Sequence, residues 1–163
     1  MAAGATYEPI ATQTLASAAA SITFSSIAAS WTDLRLVLVS ARVSGSAINY
    51  RFNSDSATNY SITRILGDGA TASSTSATSQ TEIGTSNYGT YLHLHTLDVF
   101  SYAGSTNKTC LYEVNGDNNG SGTVSRGVGL WRNTAAITSL TILMTSGTIA
   151  SGAVATLYGI KAA

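Results

Sequence analysis

Asp33-Leu-Arg-Leu-Val-Leu-Val-Ser-Ala-Arg-Val43 is the stretch whose reading decides the fold. In an extended chain Leu34, Leu36 and Leu38 fall on one side, and Val37, Val39 and Ala41 on the other. A strand apolar on both faces is a strand covered on both faces, so this one is expected mid-sheet in the thickest part of a core. A buried helical segment would also be apolar all round. The β-branched valines, a length of about ten residues and the flanking Ser, Gly and Thr favour a strand.

Working outward, Ser44-Gly45-Ser46 turns the chain into Ala47–Asn53, where Ile48, Tyr50 and Phe52 share a face. That segment is the expected hairpin partner of the opening strand. Half-buried alternation recurs in Ser21–Ile27, Tyr60–Leu66, Tyr91–Phe100, Lys108–Val114, Ile137–Thr145 and Ala153–Lys161. Thr123–Trp131 holds Val124, Val128 and Leu130 in phase, with Gly127 and Gly129 opposite, where another group can approach closely. Asn115–Gly120 is a strong turn signal. Gly67–Gln80 lacks periodicity and reads as a long polar loop, functional or ordered by a neighbour. Roughly nine or ten strands with Gly-rich turns and no helix predict an all-β fold. The expected form is an antiparallel two-sheet β-sandwich, jelly-roll-like, formed by residues 15–163. Residues 1–14 read as an N-terminal tail or arm. Within it Tyr7–Leu15 is an extended arm or edge strand, because Pro9 cannot donate to a ladder. Tyr7, Pro9 and Ile10 are the candidate interaction residues of that arm.

Composition narrows the function. The chain has 163 residues with zero formal net charge, and only 10% of them are charged, against roughly 25% in an ordinary domain. Mean hydropathy is +0.17 and the pI about 6.7. Lys108 and Lys161 are its only lysines, so no basic stripe tracks a phosphate backbone and nucleic-acid binding is not expected. No apolar run approaches the roughly twenty residues of a membrane span. The start, Met-Ala-Ala-Gly-Ala-Thr, lacks a basic region and a compact apolar core, so synthesis in the cytoplasm is expected. A near-neutral, hydroxyl-rich surface tends to associate, which points to a homo-oligomer. Cys110 stands alone and reads as a buried small hydrophobe.

Candidate chemistry is sparse. His93 and His95 point to one face of a strand and could share a metal across a symmetry axis. No nearby carboxylate or cysteine completes a site, Asp98 being on the opposite parity, so two polar strand residues is the preferred reading and no metal is expected. No Gly-x-Ser-x-Gly elbow supports a nucleophile, and Gly120-Ser-Gly-Thr-Val-Ser-Arg-Gly lacks the lysine of a phosphate loop. The carboxylates are scattered in turns and at strand ends rather than paired as glycoside hydrolysis requires. Asp117-Asn118-Asn119 lacks the alternating carboxylates of a calcium loop. The chain is therefore not expected to be an enzyme or to carry a cofactor. Tyr88, Tyr91 and Trp131 are candidates for a glycan platform, or alternatively for core and interface packing.

Several pieces, in order along the chain, carry a resemblance. They are Tyr7-Glu-Pro-Ile-Ala-Thr-Gln-Thr-Leu, Ile22-Thr-Phe-Ser-Ser-Ile, Thr32-Asp-Leu-Arg-Leu-Val-Leu-Val-Ser-Ala-Arg, and Tyr50-Arg-Phe-Asn with Asn59-Tyr-Ser. Gly127-Val-Gly-Leu-Trp-Arg-Asn-Thr-Ala-Ala-Ile-Thr-Ser-Leu and Thr156-Leu-Tyr-Gly-Ile-Lys complete the set. With them the chain resembles small β-sandwich virion structural proteins of tailed bacteriophages, cyanophages included. The resemblance implies a module, often trimeric, that decorates or cements the head by binding the major capsid protein. The alternative it implies is a receptor- or glycan-binding module of a tail fibre or tail spike. In either case the protein would be made in the host cytoplasm and end in the virion, on the capsid exterior or a tail appendage. Gly67–Asn87 departs from any fixed pattern of that family.

Overall fold

The structure, a computed structural model, describes residues 6–85 and 89–161, and for residues 42–44 the backbone only. Among the described residues the regular elements are all strands: β1 (Tyr7–Thr14), β2 (Ser21–Phe24), β3 (Asp33–Ser40), β4 (Arg42–Gly45), β5 (Ile48–Phe52), β6 (Tyr60–Gly67) and β7 (Ala72–Gln80). They continue as β8 (His93–Val99), β9 (Lys108–Gly116), β10 (Thr123–Trp131), β11 (Leu140–Met144), β12 (Gly147–Ile149) and β13 (Val154–Ile160). Among the described residues no helix is long and apolar enough to cross a membrane.

One layer is an eight-stranded sheet in the order β1-β13-β3-β8-β9-β10-β6-β7. A three-stranded sheet, β2-β11-β5, and a two-stranded one, β12-β4, form the smaller second layer. Every pairing is antiparallel. The expected antiparallel β-sandwich is present. Its core joins Leu34, Leu36, Leu38, Leu97, Val99, Tyr112, Trp131 and Leu157 of the large sheet to Ile22, Phe24, Tyr50, Phe52, Leu140 and Ile142 of the small one. Burying each such side chain contributes about 1.5–3 kcal/mol, which is what holds two layers of alternating strands together.

β3 sits third from one edge, hydrogen-bonded to β13 and β8. Leu34, Leu36 and Leu38 have no exposed area, as expected for a central strand. Its other face departs from expectation, because Val39 is 40% exposed among the described residues. The expected hairpin with Ala47–Asn53 does not form. β5 lies in the opposite layer and pairs with β11. The chain leaves the large sheet after Ser40, and its return crossing is tied beside it, with the Ala150 N–H donating to the Ala41 carbonyl. Strands that switch layers at such a corner cannot pair back on the strand they came from.

One further expectation changes. Gly67–Gln80 is no loop; Ala72–Gln80 is an edge strand paired with β6. Of the two readings of Tyr7–Leu15, extended arm or edge strand, the edge strand is the one that forms. β1 pairs with β13 from Tyr7↔Ile160 to Thr14↔Val154, with a register shift between Pro9 and Ala11. Pro9 falls where an edge and a bulge tolerate a missing N–H. Residues 7–14 are thus part of the sandwich rather than a separable arm.

Candidate functional site

The residues singled out by chemistry are placed first by burial. His93 and His95 lie on the inner face of β8, 4% and 2% exposed. Their rings are edge-on with centroids 6.2 Å apart. His95 Nδ1 lies 3.0 Å from the Tyr50 hydroxyl, linking the two layers. Desolvation, helped by His93, pushes the His95 pKa down to about 3, so it is neutral at physiological pH. No group of three or more His, Cys, Asp or Glu among the described residues is placed to hold a metal. Cys110 is fully buried, and desolvation raises its thiol to about 12. Burial therefore disfavours a thiolate there at neutral pH.

Trp131 cannot be a sugar platform. It has no exposed area, stacks on Tyr60 at 18° between planes, and its indole N–H donates to Asp55 Oδ2 at 2.7 Å. The sequence signal for this role is its place on β10, where the inward phase is Ser125, Gly127, Gly129 and Trp131. Glycine on that phase admits the Tyr112 ring at Gly127, and Ile83 with Cys110 at Gly129. The close approach expected at these glycines is thus real. Tyr91 is half-buried with its ring 4.3 Å from that of His93. Tyr88 lies outside the described residues. Of the arm residues, Tyr7 packs edge-on against Tyr158 with the Arg35 guanidinium 5.8 Å above its ring. Pro9 is exposed, and Ile10 is half-buried against the core.

What the sequence reading missed is the outer face of the large sheet. On β10 the in-phase Val124 and Val128 point outward, 64% and 40% exposed. On β13 it is Val154 that points outward, while Ala155 and Leu157 fill the core. Register places Val154 beside Val39, Val39 beside Leu94, Leu94 beside Asn115, and Asn115 beside Val124. These residues form one cross-strand band, apolar except at Asn115, with Val154, Val39 and Leu94 37%, 40% and 43% exposed. It runs on to Ile65, 62% exposed, at a shallow groove of about 550 Å³ lined by Ile65, Leu66, Gly67 and Val124 with the start of β7.

Beside the band the face is polar and internally neutralised. Arg35 grips Asp98 across β3 and β8 with two bonds of 2.5 and 2.6 Å, and Arg126 meets Glu113 across β9 and β10 at 3.3 Å. The Asp98 carboxylate holds the Arg35 cation and raises its pKa above the ordinary value. An apolar strip bounded by paired charges has the layout of a contact surface, with a core and a rim.

No protein-family model matches the chain, and no curated protein sequence matches it. Among solved structures the chain is similar to Caenorhabditis elegans galectin LEC-6, at 10% identity over 90% of this chain and 94% of that one, with a TM-score of 0.35.

Proposed function

We propose that the chain is a non-enzymatic structural protein of a tailed-phage virion. In this reading it is a capsid decoration or cement protein that assembles with its own copies and binds the major capsid protein. The observation that carries the reading is the central strand. The leucine face of β3 is buried, whereas its opposite face carries Val37 and Val39 beyond Arg35, and Val39 is 40% exposed. An uncovered apolar face on a core strand suits a protein whose second face is closed by a neighbour. The virion assignment itself rests on the sequence resemblance.

The test is location and attachment. Labelled protein is expected on capsid heads by electron microscopy of intact virions. Val39→Glu with Leu94→Glu changes exposed residues, so the fold should survive while capsid occupancy falls at least tenfold. Full occupancy of that variant, or a chain absent from virions, defeats the reading.

A further inference from the structure

The two edges of the large sheet are treated differently. β1 is guarded in ways that discourage pairing with another chain: Pro9, a register shift between Pro9 and Ala11, and Glu8 paired with Lys161 at 3.0 Å. Proline, bulges and edge charges are the ordinary protections of an exposed edge. β7 has none of them along Ala72–Ala77. It carries no charge and no proline, and it stays in register with β6 from Gly67↔Ala72 to Ile62↔Ala77. The irregularity on that side falls later, between Tyr60 and Ile62, near Ser79 with its φ of 55°.

Apart from its ladder with β6, little packing repays the ordering of β7. Ala77 packs partly on the core, and every residue from Ala72 to Ser76 is exposed. Fixing each backbone residue costs about 1–2 kcal/mol. A sheet edge also leaves alternate N–H and C=O groups unpaired, and the complement of such an edge is another strand.

We propose that β7 is a self-pairing edge, joining two copies of the chain antiparallel about a two-fold axis into one sheet with eight strands from each. The occupant is a second copy because the segment is complementary to itself. Antiparallel pairing of Ala-Ser-Ser-Thr-Ser-Ala with its own copy brings only hydroxyls and methyls together, and like charges never meet. This chain already uses that chemistry, with Thr12–Thr156 at 3.0 Å and Thr23–Thr141 at 3.1 Å bonded across paired strands. Zero net charge on each copy removes long-range repulsion,. The pairing does not depend on the virion reading.

The experiment is sedimentation velocity of the full chain over a concentration series, with two charge variants. Ser74→Lys/Ser76→Lys and Ser74→Glu/Ser76→Glu alter exposed hydroxyls, so Tm should stay within about 2 °C of the parent. The parent is expected as a dimer, and each variant alone as a monomer, with dimerisation weakened at least tenfold. An equimolar mixture of the two is expected to recover the dimer. A monomeric or trimeric parent, a dimer indifferent to both variants, or a mixture that stays monomeric overturns the proposal. So does protection of β7 amides that arises only when another protein is added. A trimer would overturn the two-fold edge while leaving the virion reading untouched.

Discussion

Burial takes His95 away from the water that would stabilise its charge, and its pKa falls to about 3. An unfolded imidazole titrates near 6.5, so below that pH the unfolded chain binds a proton the native chain refuses. The stability due to neutral His95 is complete above about pH 6.5 and is lost as pH falls towards 3, at roughly 1.4 kcal/mol per unit. The urea midpoint should therefore drop between pH 6.5 and 5, before most carboxylates titrate. In His95→Gln, whose amide still meets the Tyr50 hydroxyl, that slope should be shallower. Identical slopes in both proteins would assign the loss elsewhere. Lys108 is the opposite case, a charge kept inside. Fully buried, it donates to the Gly104, Thr106 and Thr134 carbonyls at 2.7, 2.5 and 3.3 Å, and desolvation lowers its pKa. Lys108→Met keeps the packing but strands those carbonyls, so denaturant unfolding should register a loss of roughly 2–4 kcal/mol. A change below about 0.5 kcal/mol would mean water replaces the ammonium there without cost.

β1 decides whether the N-terminal segment is detachable. Its pairing with β13, and the partial burial of Ile10, give deletion of residues 1–14 a cost in the fold itself. A loss of about 2–4 kcal/mol lowers Tm by roughly 4–16 °C for a chain of this size. Calorimetry showing an unchanged Tm would restore the picture of a free arm. The elements most legible in the sequence are those with one covered face: Ile22 and Phe24 in β2, or Cys110, Tyr112 and Val114 in β9, alternate because water lies on one side only. β7 was illegible because both of its faces are exposed, so nothing selects a period. In β10 the phase misleads. The inward side is built from glycines that make room for Tyr112 and Ile83, and the valines face out. The pairing of β3 was hidden because a chain crossing between layers leaves a turn signal like that of a hairpin. As for the site, single aromatic residues such as Trp131 drew attention, whereas the apolar band exists only once register sets five strands side by side.

At the scale of the molecule, the two layers are unequal, five strands against eight, and Val39, Leu94, Val124 and Ile65 stand exposed on the outer face of the larger sheet. Cys110 offers a measure of how the whole opens. Fully buried with its thiol raised to about 12, it should react with a disulfide reagent only through global opening, at a rate that urea accelerates in step with unfolding,. Fast reaction in native buffer would reveal a local path into the core. The two tryptophans make a further separation measurable. Trp131 is stacked in the centre, whereas Trp31 lies over Gly159, its indole N–H donating to Glu8 of β1 at 3.3 Å. With Trp131→Phe, emission from Trp31 becomes a clock for the fraying of the N-terminal edge. With Trp31→Phe, emission from Trp131 times the collapse of the core.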